Sequence, residues 1–247
     1  MNYNLFRLAW RIGTWGTSFR KIVPIPSNFR VYHSFSALEE SGLIYSLLLA
    51  YQTVFSNSSA WQEDYSFDEI RAKLRRQLTG MAAISLMLNY GGSVTGFCWG
   101  QVISVKEIVN ECKSSISFAA FDTPIWEELQ KTLSTHFSQS KILFIHELGI
   151  LKDYRGGGAP IQFLIRPVLE VGRQNECKDL LWWTNPKSNA YALSKIAGLT
   201  PLFKANNIVF MHTSQYYPLL SVLTHYDAKQ IELFLEKVTM KKRGVNT

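Results

Sequence analysis

Hydrophobic positions in this chain change period repeatedly, and the changes mark out its elements. Near the start, Leu5, Leu8, Ala9, Ile12 and Trp15 recur at helical spacing opposite Arg7 and Arg11, which predicts an amphipathic helix. Ile22-Val-Pro-Ile-Pro26 ends it, because proline cannot continue a helix. Arg30 to Phe35 alternates as a short strand, and Leu38 to Phe55 reads as one mostly buried helix with Leu43, Leu47, Ala50 and Val54 along one side. Ser66 followed by Glu69 has capping-box spacing, so a charged helix opens there and runs through Leu78 to a stop at Thr79-Gly80.

The middle of the chain switches to a strand rhythm. Met81 to Tyr90 and Ser93 to Val105 are apolar and β-prone around the Gly91-Gly92 turn, which predicts an antiparallel hairpin. Lys106 to Ala120 is less regular. Pro124 suits a first helical turn, and Ile125 to Phe137 supplies the helix. Lys141 to Leu151 is a strongly apolar strand running into Asp153-Tyr-Arg-Gly-Gly-Gly158, and a helix from Pro160 to about Gln174 follows, with Pro167 expected to kink it. Asp179 to Thr184 is short and nearly all apolar, as a central parallel strand is. Asn185 to Ala197 is helical with Gly198 as its C-cap, Phe203 to Thr213 is a strand, and Ala228 to Lys242 a last helix. No repeat and no strong linker divides the chain, and the order of elements predicts an α+β architecture on a mixed sheet.

Composition narrows the class. With 47% apolar and 18% charged residues over 247, the chain suits a packed globule, and its apolar runs stop short of the roughly 20 residues a bilayer crossing needs. The formal charge of +7 favours an anionic partner, but it is scattered except for Lys241-Lys242-Arg243, which reads as a solvated tail. Arg7 and Arg11 interrupt what would be the apolar core of a signal peptide. The basic amphipathic segment, residues 1–29, is expected to dock on the protein's own core, with contact to an anionic membrane surface as the alternative. Three cysteines without metal spacing argue for a reducing, cytoplasmic setting, and five isolated histidines give no metal site.

One stretch carries chemistry. In Glu147-Leu-Gly-Ile-Leu-Lys-Asp-Tyr-Arg-Gly-Gly-Gly-Ala-Pro160, glycines between a strand and a helix let several backbone N–H groups converge, and the helix start adds its positive dipole end. That is an anion site suited to a pyrophosphate, although a glycine turn alone is also common as plain structure. A dinucleotide fingerprint requires GxGxxG after the first strand of a βαβ unit, and a P-loop requires Lys-Ser/Thr after its last glycine. Neither is present.

The turn resembles the cofactor motif of the GNAT N-acetyltransferases, Arg/Gln-x-x-Gly-x-Gly/Ala, on Arg155, Gly158 and the preceding Ile150-Leu-Lys-Asp-Tyr154. Phe55 with Ala60-Trp-Gln-Glu63 resembles the acceptor-side segment of that superfamily, Val94 to Val102 its third strand, and Asn185 to Leu199 its late helix. The resemblance implies a GNAT-like, mostly antiparallel twisted sheet flanked by helices over residues 30–247, with N-terminal and middle helical additions. It implies a direct N-acyltransferase that uses acetyl-CoA or another acyl-CoA and no metal. An acyl-CoA, an amine acceptor and a homodimer are the partners it suggests, and no nucleic acid is expected.

The same resemblance assigns residues. The pantetheine arm would pair with the strand at Leu148, Gly149 and Ile150, where Gly149 suits a close ligand approach or a bulge. The pyrophosphate would lie on Arg155, Gly156, Gly157, Gly158, Ala159 and Ile161, with Asn185 or Asn189 touching the arm. Glu147 stands where the superfamily often carries a general base, with a paired structural glutamate as its alternative. By strand alternation His146 is expected to face away from Glu147. Trp182 and Trp183 are expected to divide between cleft and core. Pro160 removes one N–H from the motif, and Ser194 stands where the superfamily's acid tyrosine would be, which leaves Tyr191 as the candidate acid. Loss of chemistry would leave an acyl-CoA-binding sensor, and the bare net charge would fit a nucleic-acid or membrane-surface binder.

Overall fold

The computed structural model describes residues 26–56, 65–137, 141–155 and 159–214. Residues 1–25 of the expected N-terminal extension (1–29), the Ala60-Glu63 segment, Gly156 to Gly158 and the last helix lie outside them.

A seven-stranded mixed sheet organises the described residues, in the order β1-β2-β3-β4-β5-β7-β6. The strands are β1 (Phe29–Tyr32), β2 (Ala82–Leu88), β3 (Val94–Ile103), β4 (Ile142–Ile150), β5 (Leu180–Thr184), β6 (Thr200–Ala205) and β7 (Ile208–Thr213). Every pairing is antiparallel except β4 with β5. The architecture is α+β, as the order of elements predicts.

Among the described residues seven α-helices flank the sheet: α1 (Phe35–Glu40), α2 (Ile44–Ser56), α3 (Phe67–Gln77), α4 (Val105–Lys113), α5 (Thr123–His136), α6 (Ala159–Gln174) and α7 (Asn189–Ile196). On one face α6 packs against β1 to β4 and gathers Cys98, Leu143, Ile145, Val168, Trp182 and Met211 into a core, onto which Tyr191 of α7 also packs. On the other face two further cores form, one beneath α1 to α3 and one beneath α4 and α5. Gly100 sets how closely α6 approaches: a Cβ there would lie 2.6 Å from the Phe144 carbonyl and 2.8 Å from Val168. α6 continues through Pro167.

Several expectations hold closely. The Ser66/Glu69 capping box is complete, the Gly91-Gly92 hairpin joins β2 to β3, and Gly198 follows α7 at φ +85°. Three needed correction. The helix expected over Leu38 to Phe55 is two, because Gly42 takes φ +74° after the Ser41 cap and turns the chain. Lys106 to Ala120 contains α4, opened by a second capping box, Ser104 with Glu107. Phe203 to Thr213 is not one strand but the β6–β7 hairpin, turned at Asn206 with φ +50°, a conformation asparagine tolerates better than most residues.

Among the described residues no helix is long and apolar enough to cross a membrane.

Candidate functional site

β4 carries the site because its two neighbours treat it differently. It pairs with β3 along its whole length, but with β5 only at Leu143↔Leu180, Phe144↔Leu181 and Ile145↔Trp182. Both strands then run on, β4 to Ile150 and β5 to Thr184, with no further pairing between them. They fork beyond Ile145. The edge of β4 from Glu147 to Ile150 that would face β5 is an open template of main-chain donors and acceptors. Trp182 stands at the last paired position, buried on the α6 face, and its indole N–H has no partner among the described residues. An orphaned buried donor beside an open strand edge fits a ligand that brings amide groups.

The chain beyond β4 is drawn back onto the strand end. Leu151 N–H donates to the Thr95 carbonyl at 2.9 Å, and Arg155 Nε donates to the Ile150 carbonyl at 2.7 Å. Arg155 is otherwise exposed. Leu148, Ile150 and Ile161 lean into the α6-side core, so main chain rather than side chain is what Leu148 and Ile150 present at the fork.

A bulge lies opposite Trp99 and Gly100. Trp99 pairs with Glu147 and Gly100 with Ile145, which leaves His146 as the extra residue. The expectation that His146 faces away from Glu147 is therefore corrected. Its ring packs edge-on against Phe144 at 4.9 Å, on the face opposite α6, and Glu147 points to that same face. The bulge is not at Gly149 either. A Cβ at Gly149 would lie 2.4 Å from the Phe97 ring, so this glycine makes room for an aromatic side chain of β3.

Glu147 is buried, and its Oε1 is engaged by two groups: it accepts from the Tyr51 hydroxyl at 3.1 Å and forms an ion pair with Lys73 Nζ. Lys73 Nζ also donates to the Tyr51 oxygen at 3.0 Å and lies 5.4 Å and 5.3 Å from the centres of the Tyr51 and Tyr65 rings. No described residue bonds Oε2. Burying a lone carboxylate or ammonium costs several kcal/mol, so the pair and its hydroxyl make each other tolerable. Burial first, then the Lys73 and Arg76 charges, push His146 well below the usual histidine range, so its ring is neutral at pH 7, with a buried and unpartnered Nε2.

Lys73 and Tyr51 belong to no motif in the sequence. The signal was there: Ile70, Lys73, Leu74 and Gln77 form the buried stripe of α3, and a lysine on such a stripe requires a buried partner.

On the other side of the fork, Ser188 caps α7 by accepting from Tyr191 N–H. Tyr191 is half-buried against the α6-side core with Lys195 Nζ 4.5 Å from its ring centre. The Ser194 hydroxyl donates to the Ala190 carbonyl at 2.7 Å, so it is spent within its own helix. The Asn185 side chain accepts from Lys187 N–H at 2.9 Å and shapes the turn before α7, while Asn189 is exposed. Of the two tryptophans, Trp182 belongs to the α6-side core and Trp183 packs on Phe118 at 4.8 Å across the sheet.

The three thiols are poor nucleophiles. Burial raises Cys98 and Cys112 far above the usual range and pushes Cys177 up to about 11. The described residues hold no group of three or more His, Cys, Asp or Glu able to bind a metal.

No protein-family model matches the chain, and no curated protein does. Solved structures do. Arylalkylamine N-acetyltransferase 2 of Aedes aegypti is 13% identical, with 76% of this chain and 99% of that one covered at a TM-score of 0.50. A mutant of agmatine N-acetyltransferase, in its apo form, is 12% identical over 76% of this chain and 99% of that one, again at 0.50. A putative acetyltransferase of Acinetobacter baylyi is 17% identical over 81% and 97%, at 0.48.

Proposed function

The chain has the fold of the GNAT acetyltransferases, and from that premise we propose that it is an N-acyltransferase that moves an acyl group, acetyl foremost, from acyl-CoA directly to a primary amine. The observation that carries this reading is the fork: β4 and β5 part beyond Ile145 and Trp182 and leave an unpaired strand edge over Glu147 to Ile150. In this reading the pantetheine amides pair with Leu148, Gly149 and Ile150, and the pyrophosphate rests on Arg155, the glycines Gly156 to Gly158, Ala159 and Ile161. Asn185 and Asn189 flank the arm. The acyl-CoA supplies the activated carbonyl.

The remaining work falls to this chain's own residues. An amine arriving as an ammonium must lose a proton before it can attack. Glu147 takes it on Oε2, the oxygen no described residue bonds, while Tyr51 and Lys73 hold Oε1 and fix the carboxylate's direction. Tyr191 returns a proton to the departing thiolate. Buried, protonated thiols support direct transfer without an acyl-cysteine. With three free cysteines the protein suits the cytoplasm.

A binding module without turnover is the second reading. Ser194, whose hydroxyl is spent on Ala190, and Glu147, already paired with Lys73, favour it. Thermal melting against increasing acetyl-CoA tests what both readings share: a ligand that binds the native state raises the melting temperature with concentration. Thiol release with a panel of amines then separates them. No shift at millimolar acetyl-CoA overturns both.

A further inference from the structure

Lys73 is the only buried lysine among the described residues, and its ammonium meets the carboxylate proposed above as the base. Its Nζ is held by the Glu147 carboxylate and the Tyr51 hydroxyl, with two tyrosine rings close by. A carboxylate to take a proton, a hydroxyl to orient the nitrogen and aromatic faces to stabilise a cation are what an acceptor ammonium requires. Of its neighbours, Arg76 is paired with Glu111 and His146 is neutral. The carboxylate that holds Nζ belongs to the strand at the fork, the edge assigned above to the acyl-CoA arm.

From this geometry we infer that Lys73 is a self-acylation site, taking the acyl group of a bound acyl-CoA in the same chain. The inference rests on the reading of the fork as the acyl-CoA site. The Lys73 ammonium gives one proton to Glu147, and the freed lone pair of Nζ attacks the thioester carbonyl. A carbon–nitrogen bond forms and the carbon–sulfur bond breaks, with its electron pair leaving on the CoA sulfur. The nitrogen sheds a second proton, the thiolate takes one up, and the products are an Nε-acyl-lysine, free CoA and one released proton. Acylation removes the ammonium charge, so the ion pair to Glu147 becomes a neutral N–H hydrogen bond to the same carboxylate.

The test incubates the full chain with isotope-labelled acetyl-CoA, maps the label by peptide mass spectrometry over time and follows the melting temperature of the same samples. Uncatalysed acylation favours exposed lysines, so Lys106, Lys152 and Lys204 serve as the internal reference. The expected result is label on Lys73 ahead of those three, at a rate independent of protein concentration. Glu147→Gln should slow it about tenfold or more, as loss of a general base does. A melting shift with label only on exposed lysines, or with a Lys73 rate proportional to protein concentration, overturns self-acylation and leaves the proposed function standing. Absence of both shift and label overturns the proposed function and this inference together.

Discussion

Two polar clusters stand near opposite ends of the β4–β5 pair. At the forked end Glu147, Lys73 and Tyr51 are buried and charged, with neutral His146 beside them. At the paired end Asp179 Oδ1 lies 2.9 Å from His212 Nε2, and His212 Nδ1 lies 3.2 Å from His136 Nε2, with His136 exposed. Asp179 also accepts Leu143 N–H at 3.0 Å where the strands are still joined. The paired end can use water for whatever its neighbours fail to supply. At the forked end each charge depends on its protein partners, so the structure there is both more fragile and chemically more potent.

The largest difference should appear when one partner is removed from each cluster. Lys73→Met leaves the Glu147 carboxylate buried without its cation and should cost about 3–5 kcal/mol. Asp179→Asn at the half-open end should cost about 1 kcal/mol or less. Denaturant midpoints at unchanged m-value measure both. Combining Lys73→Met with Glu147→Leu should recover most of the loss, since apolar replacement of a whole buried pair is often close to neutral. A Lys73→Met variant as stable as the parent would mean that the pair is solvated.

Next in size is catalysis. Glu147→Gln keeps the shape and loses the basicity, so turnover on a true acceptor should fall by about one to three orders of magnitude with little change in acetyl-CoA affinity. The deficit should shrink as pH rises, because more of the amine then arrives neutral. Tyr191→Phe should do less, since a thiolate leaves readily without help. Full turnover in Glu147→Gln at every pH would place the base elsewhere.

The smallest effect is on acid stability. Burial lowers the folded pKa of both His146 and His212; at His212 the Asp179 hydrogen bond partly opposes it. A histidine depressed in the folded state makes the unfolded chain bind more protons, so stability rises with pH. It is fully present above the free value of 6.5 and is lost as pH falls through it toward the lower folded values. His146→Phe, which keeps an aromatic contact to Phe144, should remove more of that slope than His212→Phe. Equal slopes in the parent and both variants, from unfolding curves across that range, would contradict the assignment.

Local signals in the sequence were legible and non-local ones were not. Ser66 with Glu69 announced α3 because the box is written within four residues, and the same spacing at Ser104 and Glu107 announces α4, with Val105, Ile108, Val109 and Cys112 recurring at helical spacing behind it. Gly42 and Asn206 split expected single elements because a positive φ interrupts a run whose hydrophobicity continues. The bulge at His146 depends on the register between β3 and β4, which no pattern within β4 reveals, and it brings His146 to the side of Glu147. Glu147 was visible as a candidate base through the superfamily resemblance, whereas its partners come from α2 and α3, 96 and 74 residues away in sequence. Only the folded chain joins them.

Amide hydrogen exchange along β4, with and without acetyl-CoA, tests the central claim most directly. Saturating acetyl-CoA should slow exchange at one or more of Leu148, Gly149 and Ile150 and leave the already paired Leu143 to Ile145 largely unchanged. Unaltered exchange at all three, in protein whose melting temperature shows that acetyl-CoA is bound, would place the ligand elsewhere and contradict the account.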